Sequence, residues 1–261
     1  MKRILITGGN GQLAKSLRNL VESHRLDKFQ FLFFDKANFD ITDKAVVETF
    51  FFTNSIDYVI NCAAYTAVDL AETEVELAFK INADGVKNLA EECANQNATL
   101  IHISTDYVFD GNKKNSAYRP DDETSPINVY GKSKLAGENF ALKINPKTHV
   151  IRTSWLYSEH GKNFYTTMLK SMAERDEISV VSDQIGKPTH AKDLAQYIFD
   201  LILTSNSDYG IHHFSGDEIM SWYDFAKKIA LENGFDTKIH PITTDQYPTP
   251  AKRPKWSVLG E

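Results

Sequence analysis

The N-terminal sequence Arg3-Ile-Leu-Ile-Thr-Gly-Gly-Asn-Gly-Gln-Leu-Ala14 joins a short apolar run to a glycine-rich turn and then to a helical pattern. Glycine permits the tight turn and lets backbone amides approach a phosphate, while the following helix N-terminus adds partial positive charge. The spacing Gly8-x-x-Gly11-x-x-Ala14 therefore predicts a phosphate-binding loop between a first strand and a first helix. Ala14 is an accepted replacement for the third glycine of this motif.

Apolar, partly β-branched runs of strand length alternate with helix-length segments up to about residue 155. The predicted strands are Ile4–Thr7, Phe29–Phe34, Tyr58–Asn61, Leu100–Ser104 and Val150–Thr153. The predicted helices are Gln12–Ser23, Lys44–Phe52, Val75–Ala94 and Tyr130–Leu142. Continuous apolar strands separated by helices indicate a parallel sheet that is covered on both faces. We therefore predict an α/β fold with a Rossmann-type doubly wound parallel sheet over residues 1–155.

Residues 156–261 are less regular, and we expect most of them to form a small C-terminal substrate-binding lobe. The elements predicted here are the helices Phe164–Glu174, Asp193–Leu203 and Trp222–Asn233 and the strand Ile178–Ser182. Segment 178–204 is expected to pack back on the sheet. Trp222 and Phe225 are interpreted as core of the last helix, and the adjacent pair His212-His213 as part of a strand.

The bulk properties favour an ordinary globular protein that handles small molecules. The formal charge is −6, whereas a nucleic-acid or anionic-membrane surface would require a basic excess. Cys62 and Cys93 fit neither a disulfide framework nor a zinc pattern, which predicts a reducing cytoplasmic location. The chain enters a strand at once, so no signal peptide is expected, and no apolar run approaches the ~20 residues of a membrane span.

The segment Tyr130-Gly-Lys-Ser-Lys134 places a tyrosine and a lysine on one face of a helix, one turn apart. Reduction of a ketone leaves a negative oxygen that needs a proton, which a tyrosine can donate. A neighbouring ammonium and the positive nicotinamide of the cofactor are expected to lower the tyrosine pKa towards the operating pH. Thr105, or alternatively Ser104, could hydrogen-bond the carbonyl oxygen and polarise it. This combination is typical of a nicotinamide-dependent carbonyl reductase.

Asp35 ends the second predicted strand, where a carboxylate can hydrogen-bond the adenosine ribose of a dinucleotide. The carboxylate favours NADH because it would repel a 2′-phosphate. Lys36 beside it could attract that phosphate. The cofactor is therefore predicted as NADH or NADPH, and the preference stays open.

Taken together, these residues resemble the extended short-chain dehydrogenase/reductase superfamily, and further segments resemble the dTDP-4-dehydrorhamnose reductase family within it. These segments are Asn61-Cys-Ala-Ala-Tyr-Thr-Ala-Val-Asp-Leu-Ala-Glu72, Ser104-Thr-Asp-Tyr-Val-Phe-Asp-Gly111, Ser125-Pro-Ile-Asn-Val-Tyr-Gly-Lys-Ser-Lys-Leu-Ala-Gly-Glu138, Arg152-Thr-Ser-Trp-Leu-Tyr157, Asp183-Gln-Ile-Gly-Lys-Pro-Thr189 and Pro250-Ala-Lys-Arg-Pro254. The resemblance spans nearly the whole chain. It implies NAD(P)H-dependent reduction of the 4-keto group of dTDP-4-dehydro-L-rhamnose, the last step in the synthesis of dTDP-L-rhamnose.

The resemblance also implies roles for individual residues. Thr105, Tyr130 and Lys134 are similar to a catalytic triad. The implied cofactor contacts are Gly8, Asn10, Gly11, Gln12, Leu13, Asp35, Asp40, Ile41, Cys62, Ala63, Ala64, Tyr65, Tyr130 and Lys134. The implied substrate contacts are Thr66, Val68, Ser104, Thr105, Asp106, Tyr107, Tyr130, Trp155 and Arg253. The chain departs from the family at Cys62, usually alanine, and at Tyr65, often histidine; both departures flank the expected cofactor.

Two other functions stay open at this stage. An epimerase or dehydratase of the same superfamily would act on a nucleotide sugar without net redox change. Such dehydratases usually carry an acid pair after the threonine, whereas here Thr105 is followed by Asp106-Tyr107, with only one acid. A non-catalytic regulatory subunit on the same fold would not need an intact Tyr/Lys/Thr set. No catalytic metal is expected, because Tyr130 and Thr105 can polarise the oxygen. The partners expected are a nucleotide-sugar substrate and a homodimeric second copy, with no nucleic acid and no membrane.

Overall fold

The computed structural model describes residues 1–24, 27–113 and 115–261. The strands are β1 Lys2–Thr7, β2 Phe29–Phe33, β3 Tyr58–Asn61, β4 Thr99–Thr105, β5 Thr148–Thr153, β6 Leu156–Tyr157, β7 Glu177–Val181, β8 Ile185–Gly186, β9 Thr189–His190, β10 Gly210–His213, β11 Met220–Ser221 and β12 Lys238–Ile242. The α-helices are α1 Gln12–Ser23, α2 Lys44–Thr53, α3 Val68–Ala71, α4 Val75–Phe79, α5 Gly85–Gln96, α6 Val129–Ile144, α7 Phe164–Glu174, α8 Ala191–Leu203 and α9 Trp222–Asn233. A π-helix at Lys80–Asp84 joins α4 to α5, and 3₁₀ turns lie at Asp106–Val108 and Thr244–Gln246.

Within the described residues, the central sheet has six parallel strands in the order β10-β5-β4-β3-β1-β2. The chain runs from β1 outward to β2 and then returns past β1 to β3. The strand order therefore reverses between β1 and β3, which is where ligands bind in sheets of this kind. The register pairs Thr7 with Asn61 and Thr105 with Thr153, so these strand ends lie along one edge of the sheet.

Alternate residues of each strand point to opposite faces, and both faces are covered by helices. On β1, Ile4 and Ile6 pack against α1 and α8, whereas Leu5 packs with α2, α5 and α6. All three side chains have no exposed surface. This two-sided burial explains why the strands have continuous apolar sequences, and it confirms the predicted doubly wound α/β fold.

A smaller lobe forms from the later part of the chain. Strand β7 pairs in parallel with β12, and α7 and α9 pack against this ribbon. Its core contains Met172, Ile178, Val180, Ala226 and Ala230. The lobe therefore has a hydrophobic core separate from the two cores of the central sheet.

The structure refines three details of the sequence prediction. Within segment 178–204 only helix α8 packs on the central sheet, because strand β7 pairs with β12 in the lobe. The pair His212-His213 lies in a strand, as predicted, but that strand is the sixth of the central sheet. The predicted helix Val75–Ala94 is interrupted by the π-helix at Lys80–Asp84.

Candidate active site

A cavity of about 640 Å³ lies at the carboxyl ends of the central strands, between the sheet and the lobe. Strand ends of the sheet provide its floor, with Asn61 from β3, Thr105 from β4 and Thr153 from β5. Arg253 and Trp222 contribute from the C-terminal part of the chain. The cavity therefore lies where the topology of a doubly wound sheet directs a ligand.

The glycine-rich loop has the geometry of a phosphate cradle. Gly8 has φ +65°, and a Cβ atom there would lie 2.7 Å from the backbone nitrogen of Ala63. Gly11 donates its amide to the Gly8 carbonyl at 2.8 Å and forms the N-cap of α1. Because Gly11 has no side chain to cap the helix, the first-turn amides of α1 are free to bind an anion. These residues fit a dinucleotide pyrophosphate.

Asp35 lies beside this loop and connects to it through Asn10. Asn10 Nδ2 donates to Asp35 Oδ2 at 2.7 Å. The other oxygen, Oδ1, accepts hydrogen bonds from the Ala37 amide and from both the amide and the side chain of Asn38. The carboxylate therefore closes the turn after β2 and also orients a residue of the glycine-rich loop.

The segment Cys62–Tyr65 follows β3 and forms another wall. Asn82, in the π-helix, holds this segment by accepting from the Tyr65 amide at 2.8 Å and donating to the Tyr65 carbonyl at 3.0 Å. Its amide also donates to Ser133 Oγ in α6. One fully buried side chain thus ties the cofactor-side segment to the helix that carries Tyr130 and Lys134. Asn82 was not predicted as a site residue from the sequence, although π-helical insertions are frequent at functional sites.

Helix α6 presents the tyrosine and the lysine to the cavity. Asn128 starts the helix by accepting from the Gly131 amide at 2.7 Å, which fixes the first turn where Tyr130 lies. Lys134 is buried one turn later, and its Nζ donates to the Ile103 carbonyl at 2.6 Å. Both residues line the cavity together with Thr105. The structure therefore brings the three predicted catalytic residues into one site.

Burial governs the ionisation of these groups. It raises the pKa of Tyr130 to about 12, with the Thr105 hydroxyl acting in the opposite direction. It lowers the pKa of Lys134 to about 8, opposed by the negative charge of Glu138. In the protein without cofactor, desolvation of the phenolate dominates the pKa of Tyr130, and the lowering expected from the ammonium and the nicotinamide together stays a prediction. Tyr130 is consequently protonated at neutral pH.

Thr105 and Ser104 are adjacent but have different partners. The Thr105 hydroxyl accepts from the Tyr107 amide at 3.2 Å and donates to Asp106 Oδ1 at 3.1 Å, which caps the 3₁₀ turn at the end of β4. The Ser104 hydroxyl donates instead to Glu138, which forms a buried ion pair with Arg152 at 2.7 Å. Of the two alternatives, the geometry favours Thr105 as the group that can reach a substrate oxygen.

Asp106 lines the cavity and is nearly inaccessible to solvent. Its Oδ2 atom has no hydrogen-bond partner among the described residues. Burial raises the pKa of Asp106 to about 7, opposed by the nearby hydroxyls of Ser257 and Thr105. Burial also raises the pKa of the neighbouring Tyr107. A buried carboxyl oxygen without a partner is available to a ligand hydroxyl.

Comparison with known proteins agrees with this geometry. The family described as RmlD substrate binding domain matches residues 1–261. A dTDP-4-dehydrorhamnose reductase of Aggregatibacter actinomycetemcomitans is 42% identical, over 99% of this chain and 90% of the relative. The crystal structure of a dTDP-4-dehydrorhamnose reductase from Clostridium acetobutylicum is 44% identical with a TM-score of 0.94, covering 99% of this chain and 90% of that one. The corresponding structure from Bacillus anthracis, in complex with NADP, is 42% identical with a TM-score of 0.94, covering 100% and 91%.

The chain belongs to the dTDP-4-dehydrorhamnose reductase family. Most residues to which the sequence assigned contacts in this family line the cavity. They are Asn10, Gly11, Gln12, Leu13, Cys62, Ala63, Ala64, Thr66, Val68, Ser104, Thr105, Asp106, Tyr107, Tyr130, Lys134, Trp155 and Arg253.

Other predicted contacts of this reductase family lie outside the cavity lining, and their roles stay predictions. Gly8 lies against the backbone of Ala63, and Asp35 is connected to the cavity-lining residue Asn10 by a hydrogen bond. Asp40 accepts from the amide and hydroxyl of Thr42, and Ile41 is buried against Gly85. The Tyr65 hydroxyl donates to Glu74 at 2.7 Å.

Further cavity-lining residues, which were not predicted from the sequence, lie near the ends of β3, β4 and β5, around β6 and in the lobe. These residues are Asn61, Ile103, Thr153, Leu156, His160, Gly161, Lys162, Asn163, Phe164 and Trp222. Asn61 could have been found because it ends a central strand. Trp222 packs against the core of the lobe, as predicted, and it also lines the cavity, which the sequence did not predict.

Among residues 1–24, 27–113 and 115–261, no group of three or more His, Cys, Asp or Glu side chains could hold a metal ion. In the same part of the chain, no helix is both long and apolar enough to cross a bilayer.

Proposed function

We propose that this chain reduces the 4-keto group of dTDP-4-dehydro-L-rhamnose to give dTDP-L-rhamnose, with NADH or NADPH as reductant. The observation that carries the proposal is the convergence of Tyr130, Lys134 and Thr105 on one cavity beside a glycine-rich helix N-terminus. Full-length similarity to reductases with this name supports the choice of substrate.

The nicotinamide cofactor would be held along the edge of β1, β2 and β3. The first-turn amides of α1 would bind its pyrophosphate, and Asp35 would face the adenosine ribose. Cys62, Ala63 and Ala64 line the adjoining wall. When bound there, the cofactor supplies the hydride that the amino acids cannot provide.

Tyr130 would donate the proton that the reduced oxygen requires. Its high pKa keeps the phenol protonated at neutral pH, so the proton to be donated is present before the reaction. Lys134 would stabilise the phenolate that forms, because its ammonium lies one helical turn away in a site with little water. Thr105 would turn the hydroxyl proton that it donates to Asp106 Oδ1 towards the carbonyl oxygen and hold that oxygen near Tyr130.

The nucleotide sugar would lie between the sheet and the lobe of residues 156–261. Arg253 would bind its diphosphate, although the guanidinium is already paired with Asp69. Nη1 and Nη2 donate to the two Asp69 oxygens at 3.0 and 2.7 Å. This end-on pairing leaves the fork formed by Nε and Nη2 for a phosphate, which suits bidentate recognition. Thr66, Val68 and Trp155 would contact the remainder of the ligand.

The assay follows the absorbance of reduced nicotinamide with dTDP-4-dehydro-L-rhamnose and with other nucleotide-linked 4-keto sugars. Net oxidation of NADH or NADPH with the dTDP sugar is expected. An epimerase or dehydratase would consume no net reductant, so the absence of net NADH or NADPH oxidation would contradict the proposal. The cytoplasmic location and the homodimer stay predictions, which fractionation and sedimentation can measure.

Tyr130→Phe tests the assignment of the proton donor. The substitution keeps the ring but removes the proton, so kcat should fall roughly 10²–10⁴-fold, the usual size of general acid catalysis. Affinity for NADH should change little, since the fold and the rest of the cofactor wall are intact. Tyr223→Phe in helix α9 is the matched control and should retain full activity. Near-normal turnover by Tyr130→Phe would remove this residue from the mechanism.

A further inference from the structure

Trp155 joins the central sheet to the lobe in an unusual backbone conformation. It lies two residues beyond the end of β5 and has φ +49°, in the left-handed region that non-glycine residues rarely adopt. Trp155 is one of the residues that line the cavity. A bulky residue in this conformation is maintained only where its surroundings hold it.

Trp222 holds the indole of Trp155 by stacking. The two ring centroids are 3.4 Å apart and the ring planes differ by 6°. Trp222 is itself fixed, because its Nε1 donates to Gln184 Oε1 at 3.2 Å. It is also the first residue of α9, directly after Ser221, whose side chain forms a capping box with Asp224. The orientation of Trp222 is therefore set by the start of a helix and by a hydrogen bond at its ring.

Gly186 holds the same indole by close approach. A Cβ atom at this position would lie 2.5 Å from Cε2 and 2.8 Å from Cζ2 and Nε1 of Trp155. Gly186 belongs to β8, which pairs with β11 immediately before Trp222. The β8–β11 pair thus brings the glycine and the second tryptophan to the same indole, and the ring has no room to turn towards Gly186.

We propose that Trp222 and Gly186 are positioning residues that hold the Trp155 indole in the cavity wall and thereby set the affinity for the nucleotide sugar. The proposal rests on the proposed function, because it concerns the same cavity. It adds two lobe residues that have no place in the transfer of hydride or proton. Because they act on the wall and not on the reacting atoms, their loss should raise KM and leave kcat nearly unchanged.

Trp222→Ala is the first test, measured on the full-length chain. Loss of the stacking partner lets Trp155 leave its strained conformation, so KM for the nucleotide sugar should rise about tenfold. Trp222→Phe keeps an aromatic face and should recover most of that loss. The dissociation constant of NADH should change less than about twofold, because the cofactor wall is formed by other residues. The remaining tryptophan, Trp256, provides the control Trp256→Phe, which should leave KM unchanged.

Gly186→Ala tests the close approach without changing an aromatic residue. The glycine has no positive φ, so alanine adds only a methyl group that pushes on Trp155. KM for the nucleotide sugar should rise about tenfold in this variant as well. In a Trp155→Ala background the same substitution should have no further effect, because the group it displaces is missing.

The results separate this proposal from the proposed function. Calorimetric binding of dTDP-L-rhamnose measures positioning without turnover, so an inactive chain that shows the Gly186/Trp155 coupling would overturn only the function. Additive effects of Gly186→Ala and Trp155→Ala on binding would overturn the positioning role. Equal losses of NADH and nucleotide-sugar affinity in Trp222→Ala would also overturn it, since they indicate general loss of structure.

Discussion

Lys134 is a cation held almost entirely out of solvent, and this position has a consequence for the pH range of activity. Its side chain is 2% exposed and donates to the Ile103 carbonyl. Burial lowers its pKa to about 8, while the negative charge of Glu138 acts in the opposite direction. The ammonium that we propose to stabilise the Tyr130 phenolate is therefore present below about pH 8 and lost above it.

We predict that kcat/KM for the nucleotide sugar falls as the pH rises through about 8, because kcat/KM reports the ionisation of the free enzyme. Lys134→Arg keeps its charge at every accessible pH and should show lower activity but no decline in this range. A pH–rate profile of both proteins makes the measurement. If Lys134→Arg declines at the same pH as wild type, another group is responsible.

Asp35 is predicted to set the preference between NADH and NADPH. Asp35→Ala should weaken NADH binding by about 1.5–3 kcal/mol, the value of a hydrogen bond to a charged group. It should also relieve repulsion of the 2′-phosphate of NADPH. Part of the loss will arise because Asn10 loses its partner at 2.7 Å. The control Asn10→Ala measures that part. An unchanged NADH/NADPH ratio of kcat/KM in Asp35→Ala would show that this carboxylate is not at the ribose.

At the scale of elements, the sequence located helices where local signals mark their ends. Helices α1, α7 and α9 begin and end at the predicted residues. Helices α7 and α9 start with capping boxes at Asn163 and Ser221, which short-range patterns can identify. Tyr130 and Lys134 were found for the same reason, since their spacing on one helix face is a local property.

What the sequence could not identify were partners that are distant along the chain. Periodicity indicates which face of a strand is buried but not which strand lies beside it, so the pairing of β7 with β12 was missed. The apolar pattern of Val75–Ala94 continues through the π-helix and conceals the extra residue. The stack of Trp155 on Trp222 joins positions far apart in sequence and has no local signature.

The π-helix is expected to be a stability determinant because of Asn82. Asn82→Ala leaves the Tyr65 amide, the Tyr65 carbonyl and Ser133 without a shared partner. We predict a loss of about 2–3 kcal/mol in the free energy of unfolding in urea, together with a higher KM for NADH. Asn88 in α5 makes a single bond to the Ile41 carbonyl, so Asn88→Ala should cost about 1 kcal/mol. Equal losses in the two variants would show that the three hydrogen bonds of Asn82 contribute no more than the one bond described for Asn88.

At the scale of the molecule, the sixth strand of the sheet comes from the C-terminal half of the chain. Strand β10 adds to β5 and brings His213 beneath the chain end. His213 Nδ1 lies 3.0 Å from the Tyr118 carbonyl and 2.9 Å from the Gly260 carbonyl. Both partners are acceptors, so Nδ1 carries the proton. One imidazole thus connects the sheet, the loop after β4 and the C-terminal segment.

This connection should make the fold sensitive to acid. The pKa of His213 is lowered to about 4 by burial and then by the positive charge of Arg152. A histidine in an unfolded chain titrates near pH 6.5. Between pH 6.5 and 4, His213 is therefore protonated in the unfolded chain but neutral in the folded chain. The contribution of neutral His213 to the free energy of unfolding is therefore fully present above pH 6.5 and is lost as the pH decreases. The expected contribution is about 2 kcal/mol lost by pH 5.

His213→Asn isolates this contribution. An asparagine keeps an N–H donor for the two carbonyls but cannot gain a proton, so its stability should fall less in acid. At pH 7.5 the free energy of unfolding of the variant should be lower than that of wild type. At pH 5 this difference should be smaller by about 2 kcal/mol. His102 and His149 also have pKa values lowered by burial, but they titrate equally in both proteins and cancel in the difference. Parallel pH curves for the two proteins would mean that His213 does not link the fold to pH.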